Sequence, residues 1–331
     1  LIGGGSGLVA VRVRARRAGE TVHLRIDADE LDAPGVVDGV LAQNGVEYQL
    51  APRLQWNPAR FSERARATTL HVRLQRDGGA EQTFEQPVSL RPVSEALYFV
   101  RDGRDSVDLS WIFAAYVNEN DPVAARIADD ALRSGIVDRF EGYGDEDAVY
   151  RQVWAVWQAL AAHGIRYSDA DPGIARGPNE FSQRVRLLEQ TWDDRSANCI
   201  DGSVLIASVL QRIGLRSFLV LVPGHAFVGF YLDTAAKHAA YLETTLLGAA
   251  PPPLRTWPRF AADFDNDAAH HAGIDGFAAA LASGNARHAR IAGKLDGRHA
   301  PDYAVIDIGV ARAFGIVPIA FSAVEAGGRA R

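Results

Sequence analysis

Apolar and basic side chains alternate in VAVRVRARR, residues 9–17, the two-residue period of a half-exposed strand. Strand-like composition returns at residues 21–27 (TVHLRID), 46–51 (VEYQLA), 68–76 (TTLHVRLQR) and 82–90 (QTFEQPVSL). The turn-rich pieces DAPG, QNG and RDGG separate several of these runs. Short strands at regular spacing predict a small antiparallel β-sandwich of Ig-like type over residues 1–105. No cluster of chemically useful side chains stands out in it. It reads as an accessory module that positions substrate or binds a protein partner.

From about residue 101 the period lengthens. DPVAARIADDALRSG, residues 121–135, has an Asp before Pro and a Gly at its end, the punctuation of a helix. In DEDAVYRQVWAVWQALAAHG, residues 145–164, Val149, Val153, Trp157 and Leu160 recur at helical spacing behind an acidic start. Trp154 and Trp157 lie on or beside that stripe and are read as core. SDADPGIARGPNEF (168–181) is a polar loop, and GAAPPPLRTWP (248–258) a stiff connector. Residues 275–295 predict a helix weakened by Gly284, and residues 302–321 one or two strands with a turn. Residues 106–331 thus read as a second domain, and the chain as α+β.

The chemistry concentrates in ANCIDGSVLIASVLQRIGLRSFLVLVPGHAFVGFYLD, residues 197–233. Ile200, Val204, Leu205, Val209, Leu210 and Ile213 mark a helix that opens on Cys199 and stops at Gly214, with Asn198 in the capping position. The unpaired N–H groups and positive dipole end of such a helix favour a thiolate. A continuous apolar strand follows, broken by Pro-Gly, and His225 opens the next strand. A third strand, AAYLETT, ends in Glu243. A helix followed by an antiparallel meander would bring His225 and Glu243 to the head of the helix. Nucleophile, base and orienting acid then converge. Asp233, closer behind His225, is the poorer candidate for the acid.

Composition narrows the choices. Cys199 is the only cysteine, which excludes an internal disulfide and a multi-Cys zinc site. The adjacent pair His270 and His271 diverges on either a helix or a strand, so no metal is expected, and no cofactor motif is present. The net charge of −6 over 331 residues gives no basic surface for nucleic acid. No apolar run reaches the length of a transmembrane helix. The chain opens on LIGGGSGLVAV without methionine. Removal of an N-terminal signal is one expectation for that start, with a periplasmic or secreted location.

Cys199, Asp201, Gly214, His225 and Glu243, in this order on this helix–strand–strand frame, resemble the core of the transglutaminase-like superfamily, in particular its bacterial cysteine peptidases. The resemblance is specific over residues 181–246. It implies a papain-like core, a helix packed on an antiparallel sheet, followed here by a C-terminal α/β extension. It also implies a Cys199–His225–Glu243 triad. Many members carry Asp at the third position, and Glu243 is one methylene longer.

The expected reaction is thiol-dependent amide hydrolysis on a protein or peptide, through an acyl-enzyme. Amine transfer on the same residues, as in transglutaminases, and an inactive binding module are the alternatives. Gln183 is a candidate second donor to the oxyanion. Asn198 and Asp201 are candidates for supporting the helix head rather than for direct chemistry, because the charge of Asp201 would disfavour a nearby thiolate.

Overall fold

The computed structural model describes residues 2–3, 9–57, 60, 65–103, 105–169, 179–256 and 258–319. Most of the loop expected at residues 168–181 and most of the glycine-rich start lie outside the described residues. Helices and mainly antiparallel strands make an α+β chain. It divides between Val93 and Ser94 into two compact units.

The first unit contains strands β1 (Val11–Arg14), β2 (Glu20–Asp27), β3 (Leu31–Ala33), β4 (Gly35–Leu41), β5 (Glu47–Leu50), β6 (Gln55–Trp56), β7 (Arg66–Arg76) and β8 (Gln82–Leu90). A four-stranded antiparallel sheet has the order β4-β2-β7-β8, and β1-β5 and β3-β6 form two-stranded ribbons. Alternation drives the arrangement. Val22, Leu24 and Ile26 of β2 and Leu70, Val72 and Leu74 of β7 turn inward. They join Val13, Leu31 and Leu50 of the ribbons in one apolar cluster. The DAPG turn does separate two strands. The residues after it form β4, which the sequence reading passed over: Val37 and Leu41 are buried while Val36 and Val40 face out.

The second unit opens with β9 (Glu95–Asp102) and β10 (Asp105–Asp108). The boundary therefore falls before the expected residue 105. The reason is pairing: β9 hydrogen-bonds to β10 and to β12 (Glu180–Arg184). Helices α1 (Phe113–Tyr116), α2 (Pro122–Arg133) and α3 (Glu146–His163) follow. Asp121 caps α2 through its side chain, as its place before Pro122 predicts, and Asp145 of the acidic start caps α3 in the same way. Trp154 and Trp157 are buried in the main core. Strand β11 (Arg166–Tyr167) pairs in parallel with β13 (Ser196–Ala197), which follows α4 (Leu188–Asp194).

Helix α5 (Cys199–Arg212) is the central element of this unit. It packs against β14 (Ser217–Val222) and β15 (His225–Tyr231). These belong to a second four-stranded sheet, completed by β16 (Ala239–Leu242) and, after helices α6 (Asn266–His271) and α7 (Ile274–Ile291), by β17 (Ala304–Asp307). Its order is β16-β15-β14-β17, antiparallel throughout. Beyond β17 the expected second strand is instead a helix, α8 (Ile308–Ala313). Asp307 explains the switch: its carboxylate accepts the Val310 N–H at 2.9 Å and caps a new helix. No helix among the described residues is long and apolar enough to cross a membrane.

Helix α7 covers the free edge of this sheet. The Glu243 N–H donates to the Ala280 carbonyl at 3.1 Å, and the Tyr241 N–H donates to Asn285 Oδ1 at 3.1 Å. Edge groups that would otherwise stay unpaired are thereby satisfied. The approach requires Gly284, where a Cβ would sit 2.3 Å from the Tyr241 carbonyl oxygen. The glycine that weakens this helix by propensity is demanded by its packing. Gly284→Ala is therefore expected to lower stability by roughly 1–3 kcal/mol, the usual scale of overpacking. A urea midpoint equal to that of the wild type would contradict the close contact.

Candidate active site

Everything at the head of α5 serves to fix one residue. Asn198 Oδ1 accepts the N–H groups of Ile200 and Asp201 at 3.0 and 2.9 Å. Asp201 Oδ2 accepts the Asn198 N–H in return at 3.2 Å, closing a reciprocal cap. Asp201 also takes the backbone N–H and Nε of Arg186 at 2.9 and 3.0 Å. Burial pushes the Asp201 carboxyl up, and the Arg186 hydrogen bonds and charge only partly offset that. Asn198 and Asp201 thus hold the frame, in keeping with the supporting roles expected for them.

Cys199 is the first helical residue and is half-buried. Its carbonyl accepts hydrogen bonds from Ser203 Oγ at 2.6 Å and Thr244 Oγ1 at 3.1 Å. Its own N–H donates to no group among the described residues. Gly202 lets the chain after Glu243 come close, since a Cβ there would lie 3.1 Å from Thr244 Cβ.

His225 opens β15 because the turn after β14 ends there, with Val222 and His225 in register. Its Nε2 shares a hydrogen bond of 2.9 Å with Glu243 Oε2, and Cys199 lies near enough to the ring to act on its protonation. Nε2 is thus the ring nitrogen engaged by the acid. Burial pulls the imidazole pKa down, but the hydrogen bonds and negative charge of Cys199 and Glu243 outweigh it and push it up to about 9.

Glu243 sits just past the end of β16, with a side-chain exposure of 2%. Oε1 accepts from Thr245 Oγ1 at 2.9 Å and from the Thr245 N–H at 3.3 Å. Oε2 accepts from His225 and also from Arg287 Nε, at 2.9 Å. Burial pushes this carboxyl up, and hydrogen bonds and charge from His225, with the Thr245 bonds, bring it below its ordinary value.

The structure thus joins His225 and Glu243 by a hydrogen bond, with Cys199 at the head of α5 close to the imidazole. Asp233 is committed elsewhere: it accepts the N–H groups of Lys237 and His238 in the turn after β15. Gln183 lies on strand β12, where its amide donates to the Arg184 carbonyl at 3.0 Å and not into the triad. Tyr167, at the end of β11, lies near enough for Cys199, Asp169 and Glu243 to add to the effect of burial in raising its phenol. His270 pairs with Asp275 at 2.6 Å. Among the described residues, no group of three or more His, Cys, Asp or Glu side chains is arranged to hold a metal.

Sequence reasoning passed over Arg287, Thr245, Ser203 and Arg186. Thr245 carried a faint signal, a hydroxyl two residues beyond the acid. Arg287 carried none, because it belongs to a helix distant in sequence. No protein-family model matches the chain, and no curated protein matches it.

The elevated value of His225 links the site to stability. Protonated His225 is better held in the folded chain than in the unfolded one, where its value is near 6.5. Its contribution is therefore complete below about pH 6.5 and is lost as pH rises through about 9. Denaturant midpoints of the wild type should fall across that window by more than those of His225→Ala. Parallel pH dependence in the two proteins would contradict the pairing.

Proposed function

We propose that the chain is a thiol-dependent amide hydrolase, a cysteine peptidase or amidase. In this reading the second unit is a papain-like, transglutaminase-like core, and the first a β-sandwich accessory module that helps present a protein or peptide substrate. One observation carries the reading: the only thiol of the chain heads a helix beside a histidine whose Nε2 meets a buried carboxylate.

His225 Nδ1 takes the Cys199 proton, and the resulting imidazolium is stabilised by Glu243 through Nε2. The helix head favours the thiolate that remains. The sulfur attacks an amide carbonyl carbon, and the carbonyl π electrons move to oxygen. The unpaired Cys199 N–H is placed to donate to that oxyanion. As the carbonyl re-forms, the C–N bond breaks and His225 returns its proton to the departing amine. Water, deprotonated by His225, then adds to the thioester. Collapse expels the Cys199 sulfur, which recovers the proton, and releases a carboxylic acid. Glu243 stays ionised throughout and fixes the ring orientation.

Alkylation by iodoacetamide tests the triad directly. At about pH 6 the wild-type thiol should react roughly 10²-fold faster than in His225→Ala, the gap between a paired thiolate and a free thiol of ordinary pKa near 8.5. An inert thiol in the folded wild type, or equal rates in the two proteins, would overturn the reading. A peptidyl thiol-directed electrophile should also add to Cys199. Incorporation of a labelled amine into a glutamine peptide, faster than release of ammonia into water, would assign the acyl-enzyme to transfer instead of hydrolysis.

A further inference from the structure

We propose that Arg287 is a positioning residue of the triad: from α7 its Nε pins Glu243 Oε2 at the edge of His225, so that the other face of the imidazole is presented to Cys199. The inference rests on the triad reading given above and adds to it a group outside the core of residues 181–246.

A glutamate has one more rotatable bond than an aspartate and needs more partners to hold it in one conformation. Glu243 has four contacts, two on each oxygen. Thr245 supplies both contacts to Oε1 from the neighbouring turn. Oε2 is the oxygen that meets His225, and beside the imidazole its donor is Arg287 Nε at 2.9 Å. Without Arg287 that oxygen keeps only the partner it is meant to orient.

Delivery of Arg287 is built into α7. Ala280, Gly284, Arg287 and His288 follow the spacing i, i+4, i+7, i+8 along one helical face. Each meets β16 or the residue after it. Ala280 accepts from the Glu243 N–H, and Gly284 lies against the Tyr241 carbonyl. His288 stacks on the Tyr241 ring at 3.8 Å with the planes 9° apart. The guanidinium is therefore held by a packed stripe. Arg287 keeps 34% of its side chain exposed, so solvent screens its charge, and geometry is its main contribution.

Among the described residues, the titratable or charged groups that face Glu243 are His225 from β15 and Arg287 from α7, with Tyr167 of β11 near enough to feel its charge. Arg287 is the fixed cation among them. Its loss should make Glu243 easier to protonate, so that the imidazolium loses its partner sooner as pH falls.

The test is the rate of Cys199 alkylation by iodoacetamide across about pH 5 to 9. It is run for the wild type, Arg287→Gln, Arg287→Lys, Glu243→Gln and the double variant Arg287→Gln/Glu243→Gln. Arg287→Gln should slow the reaction roughly tenfold near neutrality, the scale of a small misplacement at a catalytic group, and move the acid edge to higher pH. Arg287→Lys should recover part of the rate. In the Glu243→Gln background, Arg287→Gln should change nothing, because its target is gone. A profile for Arg287→Gln that superimposes on the wild type overturns the inference. So does an undiminished penalty in the double variant, which would mean a general structural effect. If Arg287→Gln does not fold, Arg287→Lys gives the same decision: a wild-type rate for a displaced Nε would sink the proposal. A wild-type thiol indifferent to His225→Ala removes the triad itself, and a reactive triad untouched at Arg287 removes only this inference.

Discussion

A carboxylate withdrawn from water must find donors on both oxygens, and Glu243 is almost wholly withdrawn. Much of the second unit can be understood as meeting that demand. The strand end places the carboxylate, the following turn turns Thr245 back onto Oε1, and the sheet brings His225 to Oε2. The helix beyond the sheet closes the edge and supplies Arg287. If one donor is removed, the others must compensate, or the carboxylate must take up a proton and cease to favour an imidazolium.

The head of α5 sets the backbone surroundings of the Cys199 sulfur. Its first N–H groups divide their tasks. Those of Ile200 and Asp201 are taken by the Asn198 cap, and that of Gly202 by the Asn198 carbonyl. Only the Cys199 N–H, beside the sulfur, stays uncommitted among the described residues. Asp201 lies on the same turn, where Arg186 and the Asn198 N–H occupy its oxygens. The capped N–H groups thus begin one residue beyond Cys199.

The legible parts of the chain were those in which local chemistry and tertiary packing agree. Asp121 and Asn198 cap helices where their side chains predict, since a cap depends only on residues within a turn. The order Cys199, His225, Glu243 was readable because a helix and two neighbouring strands leave few ways to arrange the three. The boundary near residue 93 was hidden, since the partner of β9 lies far along the chain on β12. The α8 segment looked like strand because its apolar residues carry no period until Asp307 caps them. Gln183 was attractive by analogy of residue type, but its side-chain amide donates an N–H to the neighbouring Arg184 carbonyl.

Glu243 shows how far a difference of one methylene propagates. A shorter acid at the strand end would have fewer conformations to suppress and less need of a distant cation. The longer acid reaches His225 at 2.9 Å, but its extra torsion has to be frozen. That requirement falls on α7, outside the stretch that carries the family resemblance. It accounts for a glycine in mid-helix: Gly284 costs helix stability in isolation and in return allows the approach that brings Arg287 within reach of Oε2. The C-terminal segment is then part of the site's construction, and the acid and the helix that braces it should be considered together as one structural solution.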